Sequence, residues 1–563
     1  MRTPAGRCFL LFAASFLGMG QVRAASGDLI RILAAELERN FTVLKQKATP
    51  APYFLGYAVT DSATDTIAAS WGALEGSSSR RRRTLDVTVR VGSPELDNYH
   101  VIEGRLPRFT SGRSIPIEDR ETAIRQELWL ETDRVYRLGS ERLIKIRTER
   151  QVRVEGEESP GDFSREEPAE GYHPPPSISF DAARWSDTVR TVSGEFRSFP
   201  QVLGCDVRIA VQRQVKYLVT SEGTRLVHGW TSARVSVSAR AKAPDGMDLF
   251  TRESFEAHAP GGLPAPEVLR AAARRVGTLV TKLVDAPPVE PYVAPAILSG
   301  RAAGVFFHEI FGHRVEGHRL RDPSEGHTFR ERLGKPVLPE FLSVVFDPTV
   351  RRLAGTDLMG WYDYDDEGVR ARPVAVVEDG VMKTFLMSRL PVPGIAHSNG
   401  HGRRQPGREV VSRQSNLIVQ SRRQVSPARL RELLIEEIRK QGKEYGFYFE
   451  EVTGGFTMTG RRGIQAFKVI PLVVYRVYPD GRPDELVRGA DIVGTPLAAF
   501  SKIIATSDEP GVFNGYCGAE SGNVPVSAVS PALLVSEIEI QRKASSQDRP
   551  PILPRPLLPG GAP

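Results

Sequence analysis

An apolar helix that carries ionisable groups is predicted from Gly304-Val-Phe-Phe-His-Glu-Ile-Phe-Gly-His-Arg-Val-Glu-Gly-His318. Its polar members His308, Glu309 and His313 need a partner, because polar groups that are buried without one cost free energy. A divalent metal ion would be such a partner. The familiar zinc-binding helix spaces its two histidines four residues apart, with a glutamate after the first. Here the two histidines are five residues apart.

The five-residue spacing has a geometric consequence. At about 100° per residue, a side chain five positions further along an α-helix points about 140° away from the first. A π-bulge near Gly312 would bring the two imidazoles together, and such bulges occur at functional sites. Alternatively, the helix ends near Gly312 and His313 approaches from the exit turn. A third interpretation is that His308 and His313 are ordinary histidines beside a helix end.

Composition sets bounds on the class of protein. A length of 563 residues with 40% hydrophobic and 25% charged residues is typical of a globular protein of two or three domains. The formal charge of +7 falls to about +4 if residues 1–24 are removed, since these hold three arginines and no acidic residue. So small an excess does not favour a nucleic-acid partner. The run Arg80–Arg83 is predicted to be a solvated loop or strand edge.

The first 24 residues have the features of a secretory signal. Arg2 and Arg7 precede a short apolar core, and Val22-Arg23-Ala24 predicts cleavage before Ala25. The core is too short to span a bilayer, and no later stretch has 18 uninterrupted apolar residues. We therefore expect an exported, soluble protein that is periplasmic or secreted.

Hydrophobic patterning along the chain predicts an α+β protein with two domains. The first, residues 25–290, is a mixed α/β domain, and the second, residues 291–542, is a mostly antiparallel β domain that carries the metal-site helix. Helices are predicted over residues 28–46, 266–284 and 427–441. In the first domain, strands are predicted over residues 53–60, 65–74, 84–91 and within 206–258. An exposed Glu-, Pro- and Gly-rich loop is expected at 156–178 and a disordered Pro-rich tail at 543–563.

A third metal ligand has to come from another part of the chain, because a catalytic zinc site takes three protein ligands and keeps one position open. His, Asp, Glu or Cys could serve. Cys517 is a candidate, since the glycines of Asn514-Gly-Tyr-Cys-Gly-Ala-Glu-Ser-Gly522 predict a tight loop between strands and zinc accepts a thiolate. His318 and His327 are weaker candidates. Alternatively, Cys517 forms a disulfide with Cys205 in an oxidising compartment, or is a free structural or nucleophilic thiol.

Four segments resemble, in this order, the TldD/PmbA family of metallopeptidases on its TldD side. They are Phe307–Gly317, Tyr364–Gly368, Ser398–Arg404 and Cys517–Val526. Together they cover most of residues 295–540. The first half of the chain resembles the amino-terminal domain of the family more loosely.

The resemblance implies a zinc-dependent peptidase. It implies His308, His313 and Cys517 as zinc ligands, with Glu309 as the general base that activates a zinc-bound water. It also implies unfolded or short peptides as substrates. The assembly would be a dimer, either of two copies or with a PmbA-like chain. The signal segment departs from the best-known relatives, which are cytoplasmic, so their substrates and partner do not transfer directly.

Other polar clusters have two interpretations each. In the acidic cluster at 365–367, Asp366 would support a ligand histidine, or the cluster is a solvated turn. In a Gly-rich loop, His401 and Arg403 would hold a substrate carboxylate or stabilise an oxyanion, or the loop is structural. Glu316 is interpreted as a supporting group rather than a ligand.

Three functions are compatible with these residues. The first is an exported zinc peptidase that takes extended peptide at an open strand edge near the metal. The second is a non-catalytic peptide-binding or scaffold subunit of a TldD/PmbA-like complex with a structural metal. The third is a cysteine hydrolase with Cys517 as the nucleophile. Glu309 favours the first, because a structural zinc site uses four protein ligands and needs no base.

Overall fold

The computed structural model of the chain describes residues 26–102, 106–152, 160–460, 467–544, 548–553 and 556. The predicted signal segment lies outside these residues, and so does part of the predicted Pro-rich tail. No described helix combines the length and the apolar composition that crossing a bilayer requires.

The first half of the chain is built on one sheet with helices packed against it. Its described strands are β1 (Pro52–Ser70), β2 (Ala73–Ser93), β3 (Leu96–Asp97), β4 (Arg113–Ile115), β5 (Glu170–Tyr172), β6 (Gly204–Thr220), β7 (Arg225–Lys242) and β8 (Asp248–Ala257). Its described helices are α1 (Ser26–Lys47), α2 (Glu121–Val152), α3 (Ala182–Gly194) and α4 (Pro266–Asp285). The strand order is β3-β2-β1-β6-β7-β5, with β4 beside β2 and β8 beside β7. Only the β5–β7 pairing is parallel among these described strands.

The second half of the chain is mostly short strands around one buried helix. Its described strands are β9 (Tyr292–Leu298), β10 (Leu342–Phe346), β11 (Arg352–Leu353), β12 (Thr356–Asp357), β13 (Val374–Glu378), β14 (Val381–Met382), β15 (Gly402–Arg403), β16 (Val411–Ser412), β17 (Asn416–Ser421), β18 (Gln424–Val425), β19 (Gly446–Thr457), β20 (Phe467–Val477), β21 (Glu485–Val487), β22 (Ala490–Gly494), β23 (Ile503–Ala519) and β24 (Gly522–Arg542). Its described helices are α5 (Gly300–Ile310), α6 (Pro427–Lys440) and α7 (Pro496–Ser501). The path β9-β24-β22-β20-β19 closes on itself, because β9 pairs with both β24 and β19.

Helix α5 lies in the core of this half. Ser299 caps it, since the Ser299 hydroxyl accepts a hydrogen bond from the backbone N–H of Ala302 at 3.1 Å. The helix is apolar on all sides and almost entirely buried, as Phe306 is, which is typical of an enclosed helix. A Cβ on Gly304 would lie 2.8 Å from the Ala528 carbonyl oxygen, so the glycine lets β24 approach closely.

Partly buried ion pairs join the two halves of the chain. Lys216 on β6 pairs with Asp366 in the second half. Arg389 forms two hydrogen bonds of 2.7 and 2.9 Å with Glu222, which lies in the turn between β6 and β7. These contacts hold the second half against the β6–β7 hairpin.

The α+β class and the mostly antiparallel pairing are confirmed, but some elements differ from the prediction. The predicted helices occur as α1, α4 and α6, whereas α2 and α3 were not predicted. The strand predicted over 53–60 and most of the one predicted over 65–74 are the single strand β1, because the polar residues between them pair with both β2 and β6. Arg83 is buried against Asp61 at 2.8 Å rather than solvated. The predicted boundary near residue 290 falls between α4 and β9 and stays a prediction.

The prediction of an exposed loop over 156–178 is wrong for part of its described residues. Asp162 and Phe163 are buried. The Phe163 ring lies between the guanidinium groups of Arg90 and Arg389, each 3.8 Å from its centroid. The Glu-, Pro- and Gly-rich composition of this segment does not indicate the contact, and both arginine partners are distant from it in sequence.

Candidate metal centre

Helix α5 ends before it reaches the second histidine. Its last residue is Ile310, and the N–H of Phe311 closes the final turn onto the Phe307 carbonyl at 3.0 Å. Gly312–Arg314 then form a short 3₁₀ turn. His313 therefore approaches from the exit turn, and the π-bulge is not the geometry found.

Gly312 is needed in this turn for space. A Cβ on Gly312 would lie 1.9 Å from Oε1 of Gln414. Nε2 of Gln414 donates a hydrogen bond to the carbonyl oxygen of His308 at 3.2 Å. The Gln414 side chain thus fills the space beside the end of α5 and holds the peptide group of the first histidine.

Three candidate ligand atoms converge at this turn. His308, His313 and Cys517 offer one atom each, and these atoms all lie within 4.8 Å of one another. Sγ of Cys517 is 3.4 Å from Nε2 of His313, and the two imidazole centroids are 5.1 Å apart. All three residues are buried. Two imidazoles and a thiol at this separation fit a zinc ion with three protein ligands and one open position.

Cys517 reaches the site from a strand rather than from the predicted loop. It lies near the end of β23 and pairs with Val524 of β24, and the hairpin turn follows at residues 519–522. Gly522 in this turn has a φ of 82°, a left-handed conformation that favours glycine. No disulfide joins Cys517 to Cys205, so the disulfide alternative is wrong. Cys205 instead lies in the core of the first half.

Glu309 lies beside the candidate ligands. Its Oε2 is 3.9 Å from Nε2 of His313. Gly455 of β19 packs directly on its side chain, since a Cβ there would lie 2.7 Å from Cγ of Glu309. Burial raises the pKa of Glu309 above its ordinary value, and the imidazoles of His308 and His313 oppose that shift. A carboxyl group with a raised pKa is suited to accept a proton and to return it.

Glu316 orients the imidazole of His313. It is 0% exposed, and its Oε2 lies 3.2 Å from Nδ1 of His313. Arg319 donates to the same oxygen from Nη2 at 2.9 Å. A histidine that donates its Nδ1–H to a carboxylate presents Nε2 to a metal, and Nε2 is the atom that faces Cys517. Glu316 therefore has the position of a supporting group.

The surrounding charges favour the thiolate form of Cys517. Burial alone would raise the pKa of this thiol, but His313 and His308 outweigh burial and hold the pKa well below its ordinary value. Burial alone would lower the pKa of His313, but Cys517 and Glu316 raise it well above its ordinary value. The thiolate is the form of cysteine that binds a metal. A bound metal cation would balance the negative charge of the Cys517 thiolate in place of the proton on His313.

Some predicted polar residues lie outside this ligand cluster. Asp366 pairs with Lys216 and accepts the backbone N–H of Arg404 at 2.8 Å, so it neither supports a ligand histidine nor lies in a solvated turn. Nε2 of His318 is 3.6 Å from a carboxylate oxygen of Glu520 on the β23–β24 turn.

The contacts of His401, Arg403 and His327 are those of structural residues. His401 is fully buried with Nε2 3.0 Å from the hydroxyl of Ser415, and burial lowers its pKa to about 3. It is therefore neutral and cannot pair with a substrate carboxylate. Arg403 donates to the Gln414 carbonyl at 2.5 Å. Nε2 of His327 lies 3.1 Å from the carbonyl oxygen of Arg319 and 2.8 Å from that of Asp322.

The sequence interpretation missed Gly455, Arg413 and Gln414, which all contact the site. The guanidinium of Arg413 is fully buried and donates to the carbonyl of Cys517 at 2.7 Å. Arg413 and Cys517 are 104 positions apart in sequence. No local pattern marks such a contact.

Comparison with known proteins relates this chain to metallopeptidases. A family model described as the PmbA/TldA metallopeptidase C-terminal domain matches residues 291–542. A metalloprotease of Methanocaldococcus jannaschii is 28% identical over 246 residues, which is 44% of this chain and 50% of that protein. A metalloprotease of Methanothermobacter thermautotrophicus is 26% identical over 448 residues, which is 78% of this chain and 91% of that protein. A zinc metalloprotease TldD homolog of Saccharolobus solfataricus is 26% identical over 249 residues, which is 44% of this chain and 51% of that protein. The chain thus spans about half the length of the first and third of these relatives.

The fold has a counterpart among solved structures. TldE from Thermococcus kodakarensis superposes with a TM-score of 0.59 at 13% identity, covering 91% of this chain and 100% of that one. This likeness shows a shared fold, and the family match and the metalloprotease relatives add the sequence relationship. Over residues 291–542 the chain therefore belongs to the PmbA/TldD family of metallopeptidases.

Proposed function

We propose that this chain is an exported, zinc-dependent peptidase that hydrolyses unfolded or short peptides. One observation carries the proposal: a buried cluster of His308, His313 and Cys517 whose ligand atoms lie within 4.8 Å, with the Glu309 carboxyl group beside it. The names of the metalloprotease relatives support the reaction class, and one of them is named a zinc enzyme.

The residues around the cluster have separate roles in this proposal. Zinc, when bound, polarises a carbonyl group and allows water to act as a nucleophile near neutral pH. Glu309 takes a proton from the attacking water and passes it to the leaving amine. Glu316 keeps the proton of His313 on Nδ1 and so leaves Nε2 free. Because a thiolate donates more charge than an imidazole, Cys517 weakens the Lewis acid, and we expect modest turnover.

An extended peptide suits the strand edge next to Glu309. β9 pairs with β19 only at Phe447–Phe449, and beyond this point β20 is the only described strand that pairs with β19. Gly455 lies in this part of β19 and touches Glu309. A peptide that adds to this edge by main-chain hydrogen bonds would pass the carboxyl group. Such binding requires an extended chain, which supports unfolded or short peptides as substrates.

Export and assembly belong to the same proposal. The signal features of residues 1–24 support export to the periplasm or the medium. The sequence resemblance to the TldD/PmbA family, to which residues 291–542 match, implies a dimer, either of two copies or with a PmbA-like chain. Size measurement of the purified protein, alone and mixed with a PmbA-like chain of the same source, tests the assembly.

The deciding experiment measures zinc per chain and peptide cleavage together. We expect about one zinc in the wild type, cleavage that a chelator stops and zinc restores, and loss of zinc in Cys517→Ala. Glu309→Gln should keep the zinc and lose at least about 10²-fold in kcat/KM. Cleavage that survives chelation would indicate a cysteine hydrolase instead. Bound zinc without any cleavage would favour the scaffold function.

A further inference from the structure

Arg413 contacts both of the chain segments that carry His313 and Cys517. Its Nη2 donates to the Cys517 carbonyl oxygen at 2.7 Å. Its Nη1 donates to the hydroxyl of Ser521 at 2.8 Å and to the carbonyl of Gly522 at 2.9 Å. Its Nε lies 3.2 Å from Oε1 of Glu316, the carboxylate that orients His313. One fully buried guanidinium thus joins the β23–β24 hairpin to the exit turn of α5.

Neutralising Glu316 does not require Arg413. Arg319 already donates to Oε2 of Glu316 from both Nε and Nη2, at 3.1 and 2.9 Å. The Nε–H of Arg413 is not aligned as a hydrogen bond with Oε1, although the two atoms are close. The aligned hydrogen bonds of the Arg413 side chain end on the Cys517 hairpin instead. This distribution indicates that Arg413 holds the hairpin in place relative to Glu316.

The residue after Arg413 contacts the remaining ligand. Gln414 donates to the carbonyl oxygen of His308 and fills the space that Gly312 leaves open. The backbone of this segment is held in turn, since the N–H of Arg413 donates to the carbonyl of His401 at 2.9 Å. Arg413 thus contacts the Cys517 carbonyl and the Glu316 carboxylate that orients His313, and Gln414 contacts the His308 carbonyl. These two adjacent residues therefore contact all three candidate ligands or the groups that hold them.

We propose that Arg413 is a positioning residue of the metal site, which sets the separation of Cys517 from His313, with Gln414 in the same role for His308. This rests on the proposed zinc site and goes beyond it by naming what holds the ligands at bonding distance. A lysine would keep the charge but not the role, because only the planar fork of a guanidinium donates to several acceptors in fixed directions.

The test is the zinc affinity of Arg413→Lys and Arg413→Met, measured by competition with a chromophoric chelator. Loss of a supporting group typically costs about 10- to 100-fold in metal affinity, and we expect both variants in that range. The cobalt-substituted protein adds a second readout, because a displaced Cys517 should shift or weaken its thiolate-to-cobalt absorption band. Zinc affinity and a cobalt spectrum that both match the wild type would overturn the proposal.

A matched control is Arg488→Lys. The guanidinium of Arg488 is also buried and also donates to more than one group. It donates to the Ala286 carbonyl and to Asp245, in contacts of 2.8 to 3.0 Å. Its substitution should leave zinc affinity unchanged, and an equal loss there would mean that any buried arginine has this effect, which would refute a specific role for Arg413.

A milder variant and a separate assay keep the proposal testable. Thermal unfolding of the metal-free proteins shows whether the Arg413 variants fold. If they do not, Ser521→Ala carries the test, since it removes one Arg413 contact, and a several-fold weaker zinc affinity is expected. An unchanged affinity in Ser521→Ala would then contradict the proposal. Peptide cleavage is measured apart, so a wild type that binds zinc without cleaving peptide would refute the peptidase and leave the role of Arg413 standing.

Discussion

Substituting Gly455 with alanine should damage catalysis without removing the metal. The new Cβ would lie 2.7 Å from Cγ of Glu309 and 2.8 Å from the carbonyl oxygen of Lys468. The Lys468 oxygen belongs to the backbone of β20 and cannot move cheaply, so the Glu309 side chain has to yield. The backbone at Gly455 is not left-handed, and the effect is therefore steric rather than conformational.

The size of the effect follows from these contacts. Overpacking of this kind costs about 1–3 kcal/mol of stability, which a folded protein of this size tolerates. A positioned general base contributes about 10²- to 10⁴-fold to the rate, so displacing the carboxyl group should lower kcat/KM by about 10²-fold. Zinc content should stay that of the wild type, because the three atoms nearest to the added methyl group belong to Glu309 and Lys468 and not to a candidate ligand.

The assay pairs peptide cleavage with zinc stoichiometry for Gly455→Ala, Glu309→Gln and the double variant. Since both changes act on one carboxyl group, the double variant should be little slower than Glu309→Gln alone. Gly76→Ala on the exposed part of β2 is the control, because an added Cβ there meets nothing within 4 Å. Full activity of Gly455→Ala, or zinc loss in step with activity, would refute this explanation.

Three other measurements test separate parts of the structure. Gly312→Ala would place a Cβ 1.9 Å from Gln414, so zinc binding should weaken by at least about 10-fold along with activity, unlike Gly455→Ala. Lys216→Met should cost about 3 kcal/mol in denaturant unfolding at neutral pH. Burial would raise the pKa of Asp366, but Lys216 and Arg404 hold it below its ordinary value. The pair therefore stabilises at pH values above the unfolded pKa of about 4, and the cost should shrink as the pH falls below that value through the lower folded pKa. Thiol titration of the denatured protein without its signal segment should find both cysteines, and one fewer in Cys205→Ala; a disulfide would leave none.

Local elements of the fold follow from short-range patterns. The apolar residues before His308, with Ser299 in position to cap, specify a helix without help from the rest of the chain. Helix α6 begins and ends where its Ser426 cap and Gly442 predict. The buried pair at Asp162 and Phe163 was beyond such patterns, because its stability comes from arginines in distant segments.

By itself, the sequence determined the two candidate histidines, the helix that carries the first of them and the strand-rich class of the second half. The tertiary structure decided how these parts meet. An exit turn and not a π-bulge carries His313, and Gln414 occupies the space beside Gly312 in this turn. Cys517 faces the histidines because β23 and β24 pair Cys517 with Val524. A slip of one residue would turn Tyr516 toward the site instead, since neighbouring side chains on a strand point to opposite faces. Register and close approach are long-range packing properties, and no spacing within the helix motif specifies them.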